Sequence, residues 1–127
     1  MSKRVDERVN IMKTHKDLDV WKRGLDLVEK IYKITQKFPK EEIYSLTSQL
    51  RRASVSFPSN IAEGAARSSI KEYMQFLYIA VGSLSEIETQ IMIAGRLGYL
   101  SSDSLLEEVE LLRKMTLNLI KYLKTKK

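Results

Sequence analysis

Residues 70–97 carry apolar side chains at steps of three and four for 28 residues with no proline to interrupt them. Ile70, Tyr73, Phe76 or Leu77, Ala80, Leu84, Ile87, Ile91 and Ala94 fall on one stripe. A helix over this span is about 42 Å long at 1.5 Å per residue. An element of that length needs partners along its whole stripe, so the rest of the chain is constrained to supply parallel rods. Its ends are marked. Ser68 or Ser69 can cap the start, and Ser69 with Glu72 fits a capping box. Gly98 suits the left-handed position that closes a helix.

Three further segments have the same period. The first runs from about Val20 to Phe38, capped by Asp17 or Asp19, with Trp21, Leu25, Val28, Ile31 or Tyr32, Thr35 and Phe38 on its expected inner face. Pro39 stops it. Gly24 lies inside it, and a close neighbouring helix accounts for a glycine there. The last runs from Asp103 to Lys124 with Leu105, Val109, Leu112, Met115 or Thr116, Leu119 and Leu123 inward. Its Leu111, Leu117, Ile120 and Tyr122 fall off that stripe, as do Met74, Tyr78, Val81, Met92 and Ile93 of the long segment. A monomeric bundle needs only one apolar face per helix, so the excess predicts a subunit interface.

The remaining segment is the unusual one. It opens after Pro39-Lys40 with Glu41 and Glu42 in its first turn, and Ile43, Leu46, Leu50, Ala53, Phe57 and Ile61 hold one phase straight through Pro58. Proline has no N–H for the Ser54 carbonyl and crowds the preceding turn. The unbroken phase favours one helix kinked at Pro58 over two helices with Pro58 opening the second. Around it lies a polar cluster of Ser54, Ser56, Ser59, Asn60 and Glu63, ending at Gly64. It reads as a hydrogen-bonding repair of the kink, with Ser54 and Ser56 near the freed carbonyl and Asn60 and Glu63 closing the network.

Short connections between antiparallel neighbours make the expected fold all-α, an up-down-up-down four-helix bundle spanning residues 17–127. Residues 1–16 form a polar lead-in in which Val5, Val9 and Met12 have helical spacing. A chain of 127 residues fits one domain and can sustain a core. It has no cysteine, no leader-like apolar run and no obvious membrane span, so a soluble cytoplasmic protein is expected.

Chemistry finds little purchase. A di-metal carboxylate site in a bundle needs Glu-x-x-His pairs, whereas the one histidine is His15 in the lead-in. Glu63, Glu86 and Glu88 are interior carboxylate candidates without a histidine partner, so no metal or cofactor is expected. The serines near Pro58 have no base beside them, and five scattered glycines build no phosphate loop. The reading is non-enzymatic, with no catalytic residue.

The net charge of +6 belongs to the chain's two ends. Residues 1–16 hold five basic against two acidic side chains, and residues 113–127 hold six basic and none acidic. Between them, residues 17–112 carry 11 basic and 14 acidic side chains. Nucleic-acid contact candidates are Arg51, Arg52, Arg67 and Lys71 around the Pro58 segment, with Lys121 and Lys124 near the last helix end. The plain alternative is surface arginines paired with acids or packed by their stems. No basic–aromatic interleaving of the single-strand-binding kind is visible in the sequence.

Read together, the stretches DLDVWKRGLDLVEKIYKIT, QLRRASVSFPSNIAEGAAR, EYMQFLYIAVGSLSEIETQI and GYLS resemble a bacterial family. It is the four-helix-bundle family named for proteins encoded in 23S rRNA intervening sequences, also labelled S23 ribosomal protein. The resemblance covers Leu18 to Lys124, and SFPSNIAEG with GSLSEIETQ carries its specificity; Phe57 stands where relatives often have an aliphatic residue. The resemblance implies an antiparallel bundle, assembly as a ring-like homopentamer, and a basic surface that meets ribosomal or other structured RNA. It brings no catalytic residues. A more distant likeness, to an accessory protein of diversity-generating retroelements, implies the alternative: a scaffold that recruits a protein partner such as a reverse transcriptase.

Overall fold

A computed structural model describes residues 14–126. The polar lead-in expected over residues 1–16 therefore lies mostly outside the described residues. Its last part, His15–Asp17, forms a single 3-10 turn that leads into α1 (Asp19–Thr35). A second 3-10 turn at Lys40–Glu42 precedes α2 (Leu46–Ala65), followed by α3 (Ile70–Arg96) and α4 (Asp103–Lys124). No strand occurs among the described residues.

The helices run up, down, up and down, and side-chain pairings fix each direction. Gly24 of α1 lies against Phe57 of α2, while Thr35, further up α1, meets Arg51, earlier in α2. Ser56 pairs with Ser83 of α3, and Gly64 meets Phe76 and Tyr73. Glu88 meets Arg113 of α4, and Gly95 approaches Ser102. Lys30 reaches Glu108 at 2.6 Å and closes α1 onto α4. In each sequential pair one residue number rises as the other falls, which is the signature of antiparallel rods.

α3 is the core element the sequence promised. Leu77, Ala80, Leu84, Ile87, Ile91 and Ala94 are fully buried. Its start carries the predicted cap, with the Glu72 N–H donating to Ser69 Oγ at 3.1 Å. Its end turns at Gly98, whose φ of +80° is the left-handed conformation that glycine adopts without a Cβ clash. By length and composition α3 is also apolar enough to cross a membrane, which the sequence reading did not anticipate. Much of that apolar content is the bundle core.

Four details differ from the sequence reading. The α1 core stripe is Val20, Gly24, Leu27, Ile31 and Thr35, one residue out of phase with the Trp21–Leu25–Val28 stripe expected. The selected phase contains the glycine, and the reason is contact distance. A Cβ on Gly24 would stand 2.9 Å from Phe57 Cε2, so only this face lets α2 come so near. The α1 cap position is Leu18, buried and without a side-chain cap bond, and not one of the two aspartates expected there. α2 begins at Leu46 rather than after Lys40. Glu42 is diverted into accepting bonds from Ser45 Oγ and Tyr99 Oη, both 2.8 Å, which ties the turn to the α3–α4 loop and leaves Ile43 exposed. In α4, Ile120 is buried and belongs to the core.

One helix, not two, runs through Pro58, which is buried. Beyond it Gly64 is wedged against α3, where a Cβ would lie 2.8 Å from Phe76 Cβ and 3.1 Å from Tyr73 Cδ1. Burial there pushes the Tyr73 phenol up to about 12.

These contacts generate two expectations. Gly24→Ala should destabilise by about 1–3 kcal/mol through overpacking against Phe57. That outweighs the roughly 1 kcal/mol of helix propensity it gains. Gly82→Ala, with nothing near its Cβ position, should keep that gain. Denaturant titration of both variants checks the pair; a stabilised Gly24→Ala would mean the helices are not so close. Tyr73 stays protonated in the fold above the pH where the unfolded chain ionises. Its contribution is therefore intact below about pH 10 and lost as pH rises toward 12, roughly 2 kcal/mol in all. Stability measured from pH 9 to 12 should fall less steeply in Tyr73→Phe.

Candidate nucleic-acid interface

An even number of antiparallel helices returns the chain to the end it started from. α1 begins, α2 ends, α3 begins and α4 ends at one pole of the bundle. Among the described residues, cations from the start of α1 and the end of α4, far apart in the chain, are therefore brought to one pole. Exposed Lys16 and Lys22 come from the start of α1, Arg67 and Lys71 from the α2–α3 turn, and Lys121, Lys124 and Lys126 from the end of α4, and they outnumber the exposed acids of the same pole, Asp19, Glu63 and Glu72. The cations at the end of α4 also complement the negative end of its dipole. The opposite pole is mixed: Lys37, Lys40 and Arg96 sit with Glu41, Glu42 and Asp103.

The six candidate contact residues divide between these regions. Lys71, Lys121 and Lys124 are exposed at the basic pole. Arg67 is there too, held by Glu63 at 2.7 Å and lying over the Phe76 ring at 4.7 Å. Such a pair one helical turn apart at the surface is worth a few tenths of a kcal/mol, little enough for a phosphate to compete with Glu63. Arg51 and Arg52 lie in the other half of the molecule. Arg51 Nε donates to Thr35 Oγ1 at 2.8 Å, its Nη2 to the Tyr32 carbonyl at 3.4 Å, and its guanidinium lies 4.7 Å from the Tyr32 ring centre. It ties the end of α1 to α2. Arg52 is exposed on the outer side of α2, in a polar groove with Gln49, Ser56 and Glu86.

The polar cluster around Pro58 is only partly the network expected. Ser54 is buried and its Oγ donates to the Arg51 carbonyl at 2.8 Å. Asn60 Nδ2 donates to the Ser56 carbonyl at 2.9 Å and to Ser56 Oγ at 3.0 Å. Ser56 Oγ in turn pairs with Ser83 Oγ at 2.8 Å. None of these bonds ends on the Ser54 carbonyl that Pro58 leaves without its usual donor. Glu63 does not join them, because it turns outward to Arg67, and Ser59 is exposed. The cluster is a seam between α2 and α3 more than a repair of the proline. Sequence reasoning missed Ser83, the partner that makes the seam. Its signal was present, since Ser83 falls between the core positions Ala80 and Leu84 where an apolar residue is the default.

Among the expected interior carboxylates, Glu88 pairs with Arg113 at 2.9 Å and Glu86 is exposed. Arg113 also holds Glu110 at 2.6 Å, and these bonds keep its guanidinium firmly charged although burial opposes it. Among the described residues no three His, Cys, Asp or Glu side chains stand together as a metal site.

The SFPSNIAEG and GSLSEIETQ stretches thus face one another across the Ser56–Ser83 bond. A family model described as 23S rRNA-intervening sequence protein matches residues 16–119. The chain belongs to this family. Comparison with curated proteins found no match. The family match covers all four helices to within a turn or two of the end of α4, so the basic pole is built largely on the family's framework.

Replacing Arg51 separates structure from charge. Arg51→Met should cost about 1–2 kcal/mol by removing the bonds to Thr35 and the Tyr32 carbonyl and so freeing the end of α1 from α2. Arg52→Met, with no such partners, should cost under about 0.5 kcal/mol. Thermal melts of the two variants check this.

Proposed function

We propose that this 23S rRNA-intervening sequence family member is a non-enzymatic, self-associating bundle that binds structured RNA through its basic pole. The observation that carries the reading is the convergence of Lys71, Lys121, Lys124 and their neighbours on one end, while the other end is balanced. Lysine predominates there. Its ammonium acts as a point charge on phosphate oxygens, without the planar fork that fixes one geometry, so contact is to the RNA backbone and not to base identity. The family's name supports ribosomal RNA as the first RNA to try. An RNA partner of this kind places the protein in the cytoplasm.

Self-association, as a homopentamer or another ring, fits the outer face of α3. Tyr78, Ile79, Met92 and Ile93 are each about half exposed there, Gly82 lies open between them, and no lysine or arginine occurs between Lys71 and Arg96. Repeating the pole around an assembly multiplies a weak single-site affinity. The same largely apolar, cation-free face favours a second reading, a scaffold that recruits a partner protein.

Binding measured against salt tests the first reading. Affinity should fall steeply as salt rises, and the Lys71→Gln/Lys121→Gln/Lys124→Gln variant should lose about 0.7–0.9 of log–log slope per contact removed. Arg52→Gln should leave the slope nearly unchanged. Salt-independent affinity ends the proposal, and a partner protein captured after nuclease treatment favours the scaffold.

A further inference from the structure

The apolar stripe that α1 does not use in the core has its own place. Trp21, Leu25 and Val28 form one wall of an open slot whose other wall is Val55, Pro58 and Ala62 of α2. Its volume of about 310 Å³ is at the small end of the range for small-molecule sites, about 300–1,000 Å³. Pro58 is buried behind this wall and brings no backbone N–H donor to it. Two polar groups stand at the rim. Ser59 is exposed, and the His15 imidazole sits edge-on to Trp21 with ring centres 4.8 Å apart.

The slot opens beside the basic pole. Lys16 follows His15, and Lys22 follows Trp21, both exposed. An apolar aromatic surface flanked by cations is complementary to a ligand that is aromatic and anionic together. The outer face of α3 differs, being largely apolar with exposed Glu86 and no cation across its span, so it does not suit an anionic ligand. Single-strand binders combine just these two elements, basic side chains for the backbone and an aromatic ring for the base. In this chain the fold supplies the combination, since Trp21 and the lysines of α4 are about 100 residues apart in sequence.

We propose that the slot between α1 and α2 receives an unpaired nucleobase of an RNA whose phosphates lie on the basic pole. This rests on the RNA-binding reading and narrows it. The substrate class is structured RNA carrying a bulged or looped base, and the base enters for its stacking surface and not its identity.

Trp21 is the only tryptophan, so its fluorescence reports the slot directly. The test uses the full chain and two RNA duplexes that differ at one bulged nucleotide, intact in one and abasic in the other, with equal phosphate number. The intact bulge should quench Trp21 and bind about tenfold tighter, in line with the stacking of one base on an aromatic ring. Leu25→Glu should remove that preference. Leu117→Glu makes the same charge change on α4 at an equally exposed site, 42% in both cases, and should keep it. Equal affinity for both RNAs with no quenching overturns the slot and leaves the pole standing, provided salt-dependent binding persists. Absence of binding to either RNA overturns both. A Trp21 emission that shifts with protein concentration before RNA is added assigns the slot to a second copy and overturns the proposal.

Discussion

The bundle depends on how closely α2 can lie to its two neighbours. Two glycines set that distance, Gly24 under Phe57 and Gly64 under Tyr73 and Phe76. At both points the space that a methyl group would need is occupied by an aromatic ring or its Cβ. Phe57 is fully buried as a result, and Ser56 is brought within 2.8 Å of Ser83. The choice of buried face on α1 follows from the same contact, because only the phase containing Gly24 permits it. A helix with two usable apolar stripes is thereby given one inside and one outside.

This explains which parts of the structure were legible in the sequence. α3 and α4 were in extent, and α3 also in its Ser69 cap and Gly98 turn, because each has a long apolar period. The continuity of α2 through Pro58 was legible for the same reason. The first half of α1 was misread by one residue because Trp21 and Leu25 are larger than Val20 and Gly24. Periodicity alone ranks the larger side chains inward, whereas the contact with Phe57 depends on the smallest of them. The start of α2 was misread because Glu42 finds partners in Ser45 and in Tyr99, and the second is 57 residues away and outside any local window.

The candidate interface was legible in charge and not in place. Counting basic residues located them toward the chain's ends, and only the parity of the helix count brought the start of α1 and the end of α4 to one pole. Arg51 shows the converse. Beside Arg52 in the sequence it has the same formal charge, yet its guanidinium is committed to Thr35, Tyr32 and the end of α1. Adjacent positions on a helix point about 100° apart, so neighbours in sequence are divided between a structural tie and the solvent.

The shared pole also has a practical bearing on how the protein is handled. A purification tag or fluorescent fusion placed before residue 14 or after residue 126 joins the bundle at the same end. Neither position is remote from the proposed RNA surface, and an acidic tag at either one lowers its potential. Exposed attachment points outside the Glu42–Tyr99 bond are Lys40 and Glu41 in the turn and Ser101 in the loop, all at the far pole. An internal insertion there, or immobilisation through a residue engineered into that loop, leaves the basic end facing solution.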